Sequence, residues 1–388
     1  MRILYLCKTI NSRHGGRTHA REFFAAIGKR GDVEVIDSYY PLEENGDSEG
    51  KAVGGREKLQ WLPRWLFAFL CLTLVHRKRT KHLSSLIADN RYNVLLVRHE
   101  TTRIDFSYIK RRHPNTKIAI ELNAILSDEH FSINALKVFT RWFEYKQFRQ
   151  VDKIFPVSSA LQRSLLSAGI SESRILVNPN GVDTARFNPG LLAQRAHFRD
   201  YYNIPKDKFV IGYVGGMEAF RRLPDLVKSY SLLANGKMKN RVFLFMVGDG
   251  KDYREVELEL GKQCPSDSYR QLGWQHHADI PAVMATFDMA VMPYTLEYCS
   301  PLKLFEYLAM GLPTIGPDTK SVRELFVDGE HLWLNEQNTR DPDPLFELMQ
   351  TLIDNPCQRE QVAAKGFRLV AENYTWDANA ARIVAALR

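Results

Sequence analysis

The residues best suited to binding chemistry lie in one short stretch that begins with Ser300-Pro301 and ends with Gly311-Leu312-Pro313. Serine caps the start of many helices, and proline suits the first helical position. Glycine followed closely by proline is a typical stop signal. The pattern therefore predicts a helix that is capped by Ser300, has Pro301 in its first turn and ends near Gly311.

Two charged residues of this predicted helix, Lys303 and Glu306, are three positions apart and become neighbours on one side of it. Apolar residues at helical spacing are expected to face the core. They are Leu302, Phe305 and Ala309. The helix therefore presents a cation and a carboxylate on a side that packing does not use.

Backbone N–H groups at the helix start, around Ser300, Pro301 and Leu302, attract an anion, and Lys303 adds a positive charge. These features suit a diphosphate, while the carboxylate of Glu306, one turn further, can accept hydrogen bonds from ribose hydroxyls. The stretch is thus interpreted as a sugar-nucleotide site. The alternative is a surface ion pair between Lys303 and Glu306 on an ordinary capped helix.

Length and composition limit the class of protein. A chain of 388 residues predicts two or three domains at about 150 residues each, and we expect two. Apolar residues make up 45% and charged residues 25%, as in globular proteins. The 53 basic and 45 acidic residues give a net charge of +8, which favours anionic partners such as nucleotides, phospholipid surfaces or nucleic acid.

The five cysteines are scattered and have neither metal-ligand nor CxxC spacing, which favours a reducing compartment over a disulfide framework. The first residues, Met1 to Cys7, lack the long apolar core of a signal peptide and are typical of a first strand. We therefore expect a cytoplasmic protein. The adjacent His276 and His277 point to different faces and lack a third ligand, so no metal site is predicted.

Short apolar runs alternate with helical stretches, the order expected of parallel sheets covered on both faces. The first set of predicted strands is Ile3–Cys7, Val33–Ile36, Val94–Val97, Ile118–Leu122, Ile154–Val157 and Ile175–Val177. The second set is Phe209–Val214, Val242–Val247, Gln271–Gly273, Met289–Pro293, Thr314–Gly316 and Leu332–Leu334. A turn-rich linker from Asn178 to Gly190 separates the sets, so the sequence predicts two doubly wound α/β domains.

Three predicted strand ends carry glycines where a phosphate or sugar can approach the backbone: Gly15-Gly16, Gly215-Gly216 and Gly248-Asp249-Gly250. None belongs to a GxGxxG fingerprint or a GxxxxGK[ST] loop, which disfavours a dehydrogenase or a P-loop NTPase. Arg221, which follows the second pair, can bind phosphate oxygens in a bidentate manner. The alternative interpretation of Arg221 is that it lies, together with Arg222, on a solvent-exposed helix face.

Polar residues at or just after the ends of the predicted strands of the first set are candidates for orienting a second substrate. They are His99, Glu121 and Asn123. A carboxylate at a strand end is also a common helix cap or partner in a surface ion pair. Both interpretations of Glu121 remain open from the sequence.

The apolar run from Trp61 to Val75 is followed by a basic segment that reaches Lys81. With 15 residues, interrupted by Pro63 and Arg64, the run is shorter than the roughly 20 residues that span a bilayer. Tryptophans beside a basic flank indicate contact with an anionic membrane surface. The alternative is a buried helix of the first domain.

Taken in order, these blocks resemble the retaining family-four glycosyltransferases (glycosyl transferases group 1) of the GT-B architecture, in which two Rossmann-like domains face a cleft. The similarity covers nearly the whole chain. It rests on Gly15 to His19, Pro179 to Asp183, Gly215 to Tyr230, Val247 to Gly250, Leu272 to Trp274 and, most specifically, Ser300 to Pro313. The resemblance implies an acceptor-side domain over residues 1–185, a nucleotide-sugar domain over 186–371, and a C-terminal helix over about 372–388 that returns to the first domain.

The resemblance also implies site residues and a reaction. Arg221, Lys303 and Glu306 are expected to act in catalysis, while the acceptor candidates His99, Glu121 and Asn123 rest on their positions at strand ends. The donor-binding residues are expected to be Gly15, Gly16, Gly215, Gly216, Gly248, Trp274, Ser300, Pro301 and Leu302. Two departures stand out: the family's first glutamate position holds Tyr298, with Glu297 one residue earlier, and Gly216 stands where relatives often have arginine.

We therefore expect transfer of a sugar from a UDP- or GDP-sugar to an acceptor hydroxyl, with retention and without a metal or other cofactor. The expected acceptor is a lipid-linked or growing saccharide of bacterial exopolysaccharide, capsule or lipopolysaccharide, and nucleic acid is not an expected partner. We expect a cytoplasmic location, peripheral on the inner membrane face through Trp61 to Lys81. The alternatives are a nucleotide-sugar epimerase of the same architecture and a degenerate protein that only binds a partner.

Overall fold

A computed structural model describes residues 1–11, 15–39, 76–100, 104–129, 134–336 and 341–388. The apolar run from Trp61 to Val75 lies outside these ranges. The chain divides into two compact units: an N-terminal unit of Met1–Pro179 with Asn379–Arg388, and a C-terminal unit of Asn180–Ala378. The division falls shortly before the boundary expected at residue 185.

The N-terminal unit is built on a five-stranded parallel sheet in the order β2-β1-β3-β4-β5. Its strands are β1 (Arg2–Leu6), β2 (Val35–Ser38), β3 (Val94–Arg98), β4 (Lys117–Leu122) and β5 (Lys153–Pro156). Almost every residue of β1, β3 and β4 is buried, as expected where helices cover both faces of a parallel sheet. The carboxyl ends of these strands carry the polar residues that are candidates for acceptor binding.

Helices connect the strands of the N-terminal unit. They are α1 (Gly15–Gly28), α2 (His76–Asn90), α3 (Phe106–Arg112), α4 (Leu126–Glu129), α5 (Asn134–Phe148) and α6 (Ser159–Ser167). The N-caps of α3 and α6 are Asp105 and Ser158, whose side chains accept hydrogen bonds from backbone N–H groups of the first turn. α1 begins at Gly15, so the glycine pair Gly15-Gly16 forms the start of this helix.

The predicted strand at Ile175–Val177 is wrong. A single bridge joins Ile175 to Ile154, and the N–H groups of Leu176 and Asn178 donate to the carbonyls of Ile154 and Pro156. A 3-10 turn at Glu172–Arg174 precedes this contact and Pro179 follows it closely, which leaves too little chain for a longer ladder.

The C-terminal unit contains a six-stranded parallel sheet in the order β11-β10-β9-β6-β7-β8. Its strands are β6 (Phe209–Val214), β7 (Val242–Val247), β8 (Tyr269–Leu272), β9 (Met289–Val291), β10 (Thr314–Pro317) and β11 (Trp333–Asn335). Alternate residues of β6 enter two separate apolar layers, with Val210 and Val214 in one and Ile211 and Tyr213 in the other. The sheet is therefore the middle of three layers, as in a doubly wound fold.

The helices of this unit cover both faces of its sheet. They are α7 (Arg195–Tyr201), α8 (Leu223–Asn235), α9 (Tyr253–Gln263), α10 (Ile280–Ala285), α11 (Leu302–Ala309), α12 (Lys320–Arg323), α13 (Asp343–Asp354) and α14 (Pro356–Asn373). Short 3-10 turns lie at Pro189–Gln194 and Ala219–Arg221. None of the helices in the described ranges has the length and apolar character needed to cross a bilayer.

The last helix, α15 (Trp376–Leu387), begins in the C-terminal unit and ends in the N-terminal one. Within the N-terminal unit, Nζ of Lys117 donates to the carbonyls of Leu387 and Arg388 over 2.8 and 2.7 Å. Nδ2 of Asn379 donates to the carbonyl of Pro179 over 2.6 Å. These bonds attach residues 379–388 to the edge of β4 and to the end of the unit's first segment.

Candidate active site

The start of α11 differs from the sequence prediction in one respect. Pro301, not Ser300, occupies the N-cap position, and no side chain at that position bonds to the first turn. The hydroxyl of Ser300 instead accepts a hydrogen bond from the N–H of Asn180 over 3.1 Å. The predicted serine cap is therefore wrong, because a long-range partner takes the hydroxyl. Without a side-chain cap, the helix start keeps its attraction for an anion.

The carboxylate of Glu306 is buried, with the residue only 3% exposed, and both of its oxygens have partners. Oε2 lies 2.6 Å from Nζ of Lys303, and Oε1 lies 3.2 Å from Nε2 of His277. Burial by itself raises the pKa of a carboxyl group, but the charge of Lys303 and the hydrogen bond from His277 outweigh it and lower the pKa of Glu306. Glu306 is therefore a buried, ionised acceptor and not a surface ion-pair partner.

Arg186 determines which nitrogen of His277 carries the proton. Its NH1 lies 2.7 Å from Nδ1 of His277. A guanidinium can only donate, so Nδ1 must accept and Nε2 must carry the hydrogen. In this arrangement His277 donates to Glu306 from Nε2. The sequence had pointed to this histidine only as a metal ligand that lacked partners, and Arg186 gave no local signal.

The glycine-bearing ends of β6 and β7 pack directly on each other. The N–H of Gly215 donates to the carbonyl of Val247, and the N–H of Met217 donates to that of Asp249. Gly248 has a φ of 144°, and a Cβ at this position would lie 1.9 Å from the carbonyl oxygen of Gly215. Gly248 therefore serves the close approach of two backbones. Gly216 has open space beside it, since the nearest atom to a Cβ there would be 3.9 Å away.

Arg221 and Arg222 have different surroundings. NH1 of Arg221 donates to the hydroxyl of Thr295 over 3.1 Å, and its guanidinium lies 4.6 Å above the ring of Phe220. Nε of Arg222 pairs with Asp225 over 2.6 Å within the first turn of α8. Arg221 thus contacts the loop that leads into α11 through Thr295, whereas Arg222 pairs with Asp225 of its own helix and lies 5.0 Å from the ring of Tyr294 in that loop.

Two further aromatic and acidic candidates lie on loops after strands. Trp274 follows β8, is about half exposed, and meets His276 edge-on at 4.5 Å. Glu297 is exposed and its Oε2 accepts the N–H of Lys320 over 3.2 Å, at the start of α12. Tyr298, at the position of the family's first glutamate, is partly buried.

In the N-terminal unit, Glu121 lies at the end of β4 within a buried polar cluster. Its carboxylate accepts a hydrogen bond from the hydroxyl of Tyr5 over 2.9 Å, bonds to Nε2 of His19, and lies 3.8 Å from NH1 of Arg98. Burial raises the pKa of a carboxyl group, but His19, Arg98 and Tyr5 together lower the pKa of Glu121 to about 2. Both oxygens are thus engaged inside the unit.

The side chains of His99 and Glu100, which follow β3, also form hydrogen bonds with other groups of the protein. Nε2 of His99 lies 2.6 Å from Oε1 of Glu144, whose carboxylate accepts the N–H groups of Leu126 and Ser127 at the start of α4. The carboxylate of Glu100 accepts the N–H groups of Lys8 and Thr9, which are in the 3-10 turn Lys8–Asn11 after β1, over 3.0 Å each. Glu144 was not identified from the sequence, because its partners are far away along the chain.

Buried donors without a partner mark the same end of the sheet. Nδ2 of Asn123, just after β4, is buried and has no hydrogen-bond partner in the described part of the chain. NH1 of Arg98 likewise makes no hydrogen bond in this part of the structure, although it lies 3.8 Å from the carboxylate of Glu121, and Arg98 is only 8% exposed. Gly16 lies beside Arg98, since a Cβ at Gly16 would be 3.7 Å from NH2. Such donors are costly unless something accepts from them, which makes this edge a candidate for an oxygen-rich ligand.

The described residues contain no group of three or more His, Cys, Asp or Glu side chains placed to hold a metal ion. The polar groups at α11 are instead one carboxylate, one ammonium and one imidazole, and a guanidinium bonds to the other nitrogen of the imidazole. This set can bind hydroxyls and phosphate oxygens through hydrogen bonds and charge.

Two doubly wound α/β units, the second with an uncapped helix start beside a lysine and a glutamate, define a GT-B glycosyltransferase architecture. Comparison with known families agrees. The sequence profile of glycosyl transferases group 1 matches residues 194–369, and that of glycosyltransferase family 4 matches residues 13–186. The chain belongs to the glycosyltransferases of this group 1, family 4 type.

Curated relatives have related activities in their names. A GDP-mannose-dependent alpha-mannosyltransferase of Mycobacterium tuberculosis is 28% identical over 212 residues, which cover 54% of this chain and 50% of the relative. A lipopolysaccharide 1,2-N-acetylglucosaminetransferase of Salmonella typhimurium is 18% identical over 78% of this chain and 74% of the relative. The first match thus spans about half the length of the mycobacterial enzyme.

Solved structures share the fold over the whole chain. The Anabaena protein HepE in complex with UDP superposes with a TM-score of 0.72 at 16% identity, covering 100% of this chain and 99% of that chain. Sucrose-phosphate synthase from Thermosynechococcus elongatus gives a TM-score of 0.73 at 15% identity, with 99% and 98% covered. At these identities the likeness establishes the fold, and the two doubly wound sheets predicted from the sequence are confirmed.

Proposed function

We propose that the protein transfers a sugar from a nucleoside-diphosphate sugar to an acceptor hydroxyl, with retention at the anomeric carbon and without a metal. The observation that supports this most is the buried, ionised carboxylate of Glu306, fixed one turn from the uncapped start of α11. A carboxylate held in this way is an acceptor for the hydroxyls of a ribose, and the helix start is a site for a diphosphate.

Donor binding, in this proposal, exchanges one of the partners of Glu306. Lys303 is partly exposed, and its flexible side chain can leave Oε2 for a phosphate oxygen. Oε2 then becomes available to the ribose hydroxyls, while His277 continues to hold Oε1. Gly216 leaves space for a phosphate to approach the backbone, next to the close contact between Gly215 and Gly248. Trp274 is placed to stack on the base.

The chemical step is assigned to charge stabilisation. As the bond between the sugar and the phosphate breaks, negative charge grows on the departing diphosphate. Arg221, Lys303 and the start of α11 then interact more strongly with the transition state than with the bound donor. The proton of the acceptor hydroxyl passes to the leaving phosphate on the same face, so no protein base is needed.

The acceptor is assigned to the carboxyl edge of the sheet in the N-terminal unit. Asn123 has a buried amide donor without a partner there, and His99 lies on the neighbouring strand end. Glu121 has a pKa of about 2 and both oxygens occupied, which makes it a poor general base. We assign it to positioning His19 and Arg98, not to proton transfer.

The acceptor class is a lipid-linked or growing saccharide of bacterial exopolysaccharide, capsule or lipopolysaccharide, handled in the cytoplasm at the inner face of the membrane. The name of the Salmonella relative supports a lipopolysaccharide-type acceptor. The names of the relatives support both candidate donors, because one depends on GDP-mannose and HepE was solved with UDP.

A thermal-shift screen against UDP, GDP and ADP tests the donor class, since a ligand that binds only the folded protein raises its apparent melting temperature. We expect a shift with UDP or GDP that persists in EDTA. If none of the three nucleoside diphosphates raises the melting temperature, the proposal of a nucleotide-sugar transferase is contradicted. Incubation with the matching sugar nucleotide alone distinguishes transfer from epimerisation, because an epimerase converts the donor without an acceptor.

A further inference from the structure

Two buried tyrosines, Tyr213 and Tyr307, place their hydroxyl groups at the carboxyl end of β6. Tyr213 is 2% exposed and belongs to the apolar layer on one face of the sheet, whereas Tyr307 is fully buried in the layer on the other face. For packing alone, phenylalanine would fill the same space without burying a polar group. The hydroxyl groups therefore point to a role beyond packing.

The hydroxyl of Tyr307, on α11, takes the place of a strand partner. It accepts the N–H of Val214 over 2.8 Å and donates to the carbonyl of the same residue over 3.2 Å. This side of β6 pairs with β9, but the ladder between the two strands ends at Gly212 and Ala290. Without Tyr307, both backbone groups of the buried Val214 would lose these hydrogen bonds. One side chain of α11 thus attaches the helix to the last residue of β6.

The hydroxyl of Tyr213 fixes the turn that follows β6. It donates to the carbonyl of Gly216 over 2.8 Å, and a Cβ at Gly215 would lie 2.9 Å from the same hydroxyl oxygen. The N–H groups of Gly215 and Met217 donate to carbonyls at the end of β7 and just after it. Gly216, between them, is exposed, and its N–H has no hydrogen-bond partner among the described residues. The direction of this free donor therefore depends on Tyr213.

The two tyrosines connect the free N–H of Gly216 with the carboxylate of Glu306. Glu306 directly precedes Tyr307 on α11, and Val214 lies two residues before Gly216. The bonds between Tyr307 and Val214 therefore set the distance of α11 from the turn. Burial raises the pKa of Tyr213 to about 12 and holds the pKa of Tyr307 well above its ordinary value. Both hydroxyl groups thus keep their protons near neutral pH.

We propose that Tyr213 and Tyr307 are positioning residues of the donor site, which hold the N–H of Gly216 and the carboxylate of Glu306 at the spacing of the phosphate and the ribose of one nucleoside diphosphate. This inference rests on the proposed function, in which Gly216 meets a phosphate and Glu306 meets the ribose. Neither tyrosine needs to touch the ligand. Each keeps a binding group in place before the ligand arrives, so that less conformational freedom is lost on binding.

Tyr230 of α8 provides a matched control. It is fully buried, and its hydroxyl donates to the carbonyl of Ser268, which directly precedes β8. Ser268 therefore lies at the amino edge of the parallel sheet, opposite the carboxyl edge where ligands of such sheets bind. Tyr230→Phe removes the same chemical group from the same unit without reaching the proposed donor site.

The test is calorimetric titration of UDP and GDP into the unchanged full chain, Tyr213→Phe, Tyr307→Phe and Tyr230→Phe. Phenylalanine keeps the ring and its packing, and circular dichroism checks that all four proteins are folded. We expect Tyr213→Phe and Tyr307→Phe to bind the nucleotide about tenfold more weakly, and Tyr230→Phe to bind it as the unchanged protein does. All three variants should melt at a lower temperature, because each loses a buried hydrogen bond.

A double variant tests whether Tyr307 acts through the placement of Glu306. Glu306→Ala removes the carboxylate, so there is no longer a spacing to maintain. Adding Tyr307→Phe to Glu306→Ala should therefore weaken nucleotide binding by less than about twofold further, although the melting temperature still falls. A residue that only stabilises the fold would not show this difference between affinity and melting temperature.

Undiminished nucleotide binding by either Tyr213→Phe or Tyr307→Phe would overturn the assignment of that tyrosine and leave the proposed function in place. An equal loss of affinity in Tyr230→Phe would also overturn the inference, since buried hydroxyl groups would then act on binding through stability alone. A further tenfold loss in the double variant would show that Tyr307 acts independently of Glu306. If the unchanged protein binds neither nucleotide, the proposed function fails and the inference fails with it.

Discussion

His277 donates a hydrogen bond from Nε2 to Oε1 of Glu306 over 3.2 Å, while NH1 of Arg186 lies 2.7 Å from Nδ1 of the same ring. Ring and carboxylate come from different parts of the C-terminal unit, the loop after β8 and the middle of α11. The hydrogen bond from His277 fixes Oε1 of Glu306. Oε2 is bonded to Lys303, which can be displaced by a ligand. Glu306 is thereby oriented before any ligand arrives, which is an advantage for binding.

Replacing His277 tests this orientation. His277→Asn keeps a group near Nδ1 but no longer reaches Glu306, whereas His277→Gln places an amide N–H close to the Nε2 position. Loss of a hydrogen bond to a charged group costs about 1.5 to 3 kcal/mol. We expect His277→Asn to bind UDP or GDP some ten- to a hundredfold more weakly in calorimetry, and His277→Gln to retain most of the affinity. Equal affinities of both variants and the unchanged protein would show that His277 does not position Glu306.

The two adjacent arginines provide a matched pair for the leaving group. Arg221→Ala should reduce kcat more than donor affinity, because its charge matters most when the diphosphate departs. Arg222→Ala should reduce kcat less than Arg221→Ala does, since Arg222 pairs with Asp225 in its own helix and packs on the ring of Tyr294. Steady-state kinetics beside calorimetry separate the two effects. If Arg221→Ala lowers turnover and affinity equally, Arg221 binds the donor without selective stabilisation of the transition state.

The lowered pKa of Glu121 predicts that the free energy of unfolding depends on pH. Its pKa of about 2 in the folded protein lies below the ordinary value of 4.5. The group therefore stabilises the fold above pH 4.5, and this contribution disappears as the pH falls from about 4.5 to 2. A shift of this size corresponds to about 3 kcal/mol.

Urea unfolding of the unchanged protein and of Glu121→Gln measures this contribution. The variant should be less stable by about that amount at pH 7, and the difference should shrink at pH 3. A difference of the same size at both pH values would mean that the charge of Glu121 does not stabilise the N-terminal unit.

The paired glycines at the ends of β6 and β7 differ in what they tolerate. Gly248→Ala would place a Cβ against the carbonyl of Gly215 at a φ of 144°, so we expect a loss of about 2 kcal/mol or more. Gly216→Ala has space for its Cβ and should leave the melting temperature nearly unchanged. Thermal unfolding of the two variants provides the comparison. Equal melting temperatures would show that the strand ends can separate at little cost.

The sequence predicted most strands because parallel sheets have continuous apolar runs, as in β6 and β7, whose predicted bounds match the structure. It also predicted the neighbourhood of Lys303 and Glu306, which follows from helical spacing alone. The cap at Ser300 was wrong because its hydroxyl bonds to Asn180, far away along the chain. A local pattern carries no information about such partners.

The same limit applies to the buried pairs. His277 lies 29 positions from Glu306, and His19 lies 102 positions from Glu121. Neither contact leaves a periodic or spacing signal in the sequence. The sequence therefore identified both carboxylates as candidates, but not the side chains that hold them or the resulting pKa changes.

Calorimetric titration of UDP and GDP into the unchanged protein, Glu306→Ala and the surface control Glu255→Ala tests the central claim most directly. We expect one of the two nucleotides to bind, with affinity lost at least tenfold in Glu306→Ala and kept in Glu255→Ala, and with all three proteins folded by circular dichroism. Undiminished nucleotide binding by a folded Glu306→Ala would contradict the assignment of this carboxylate to the donor site.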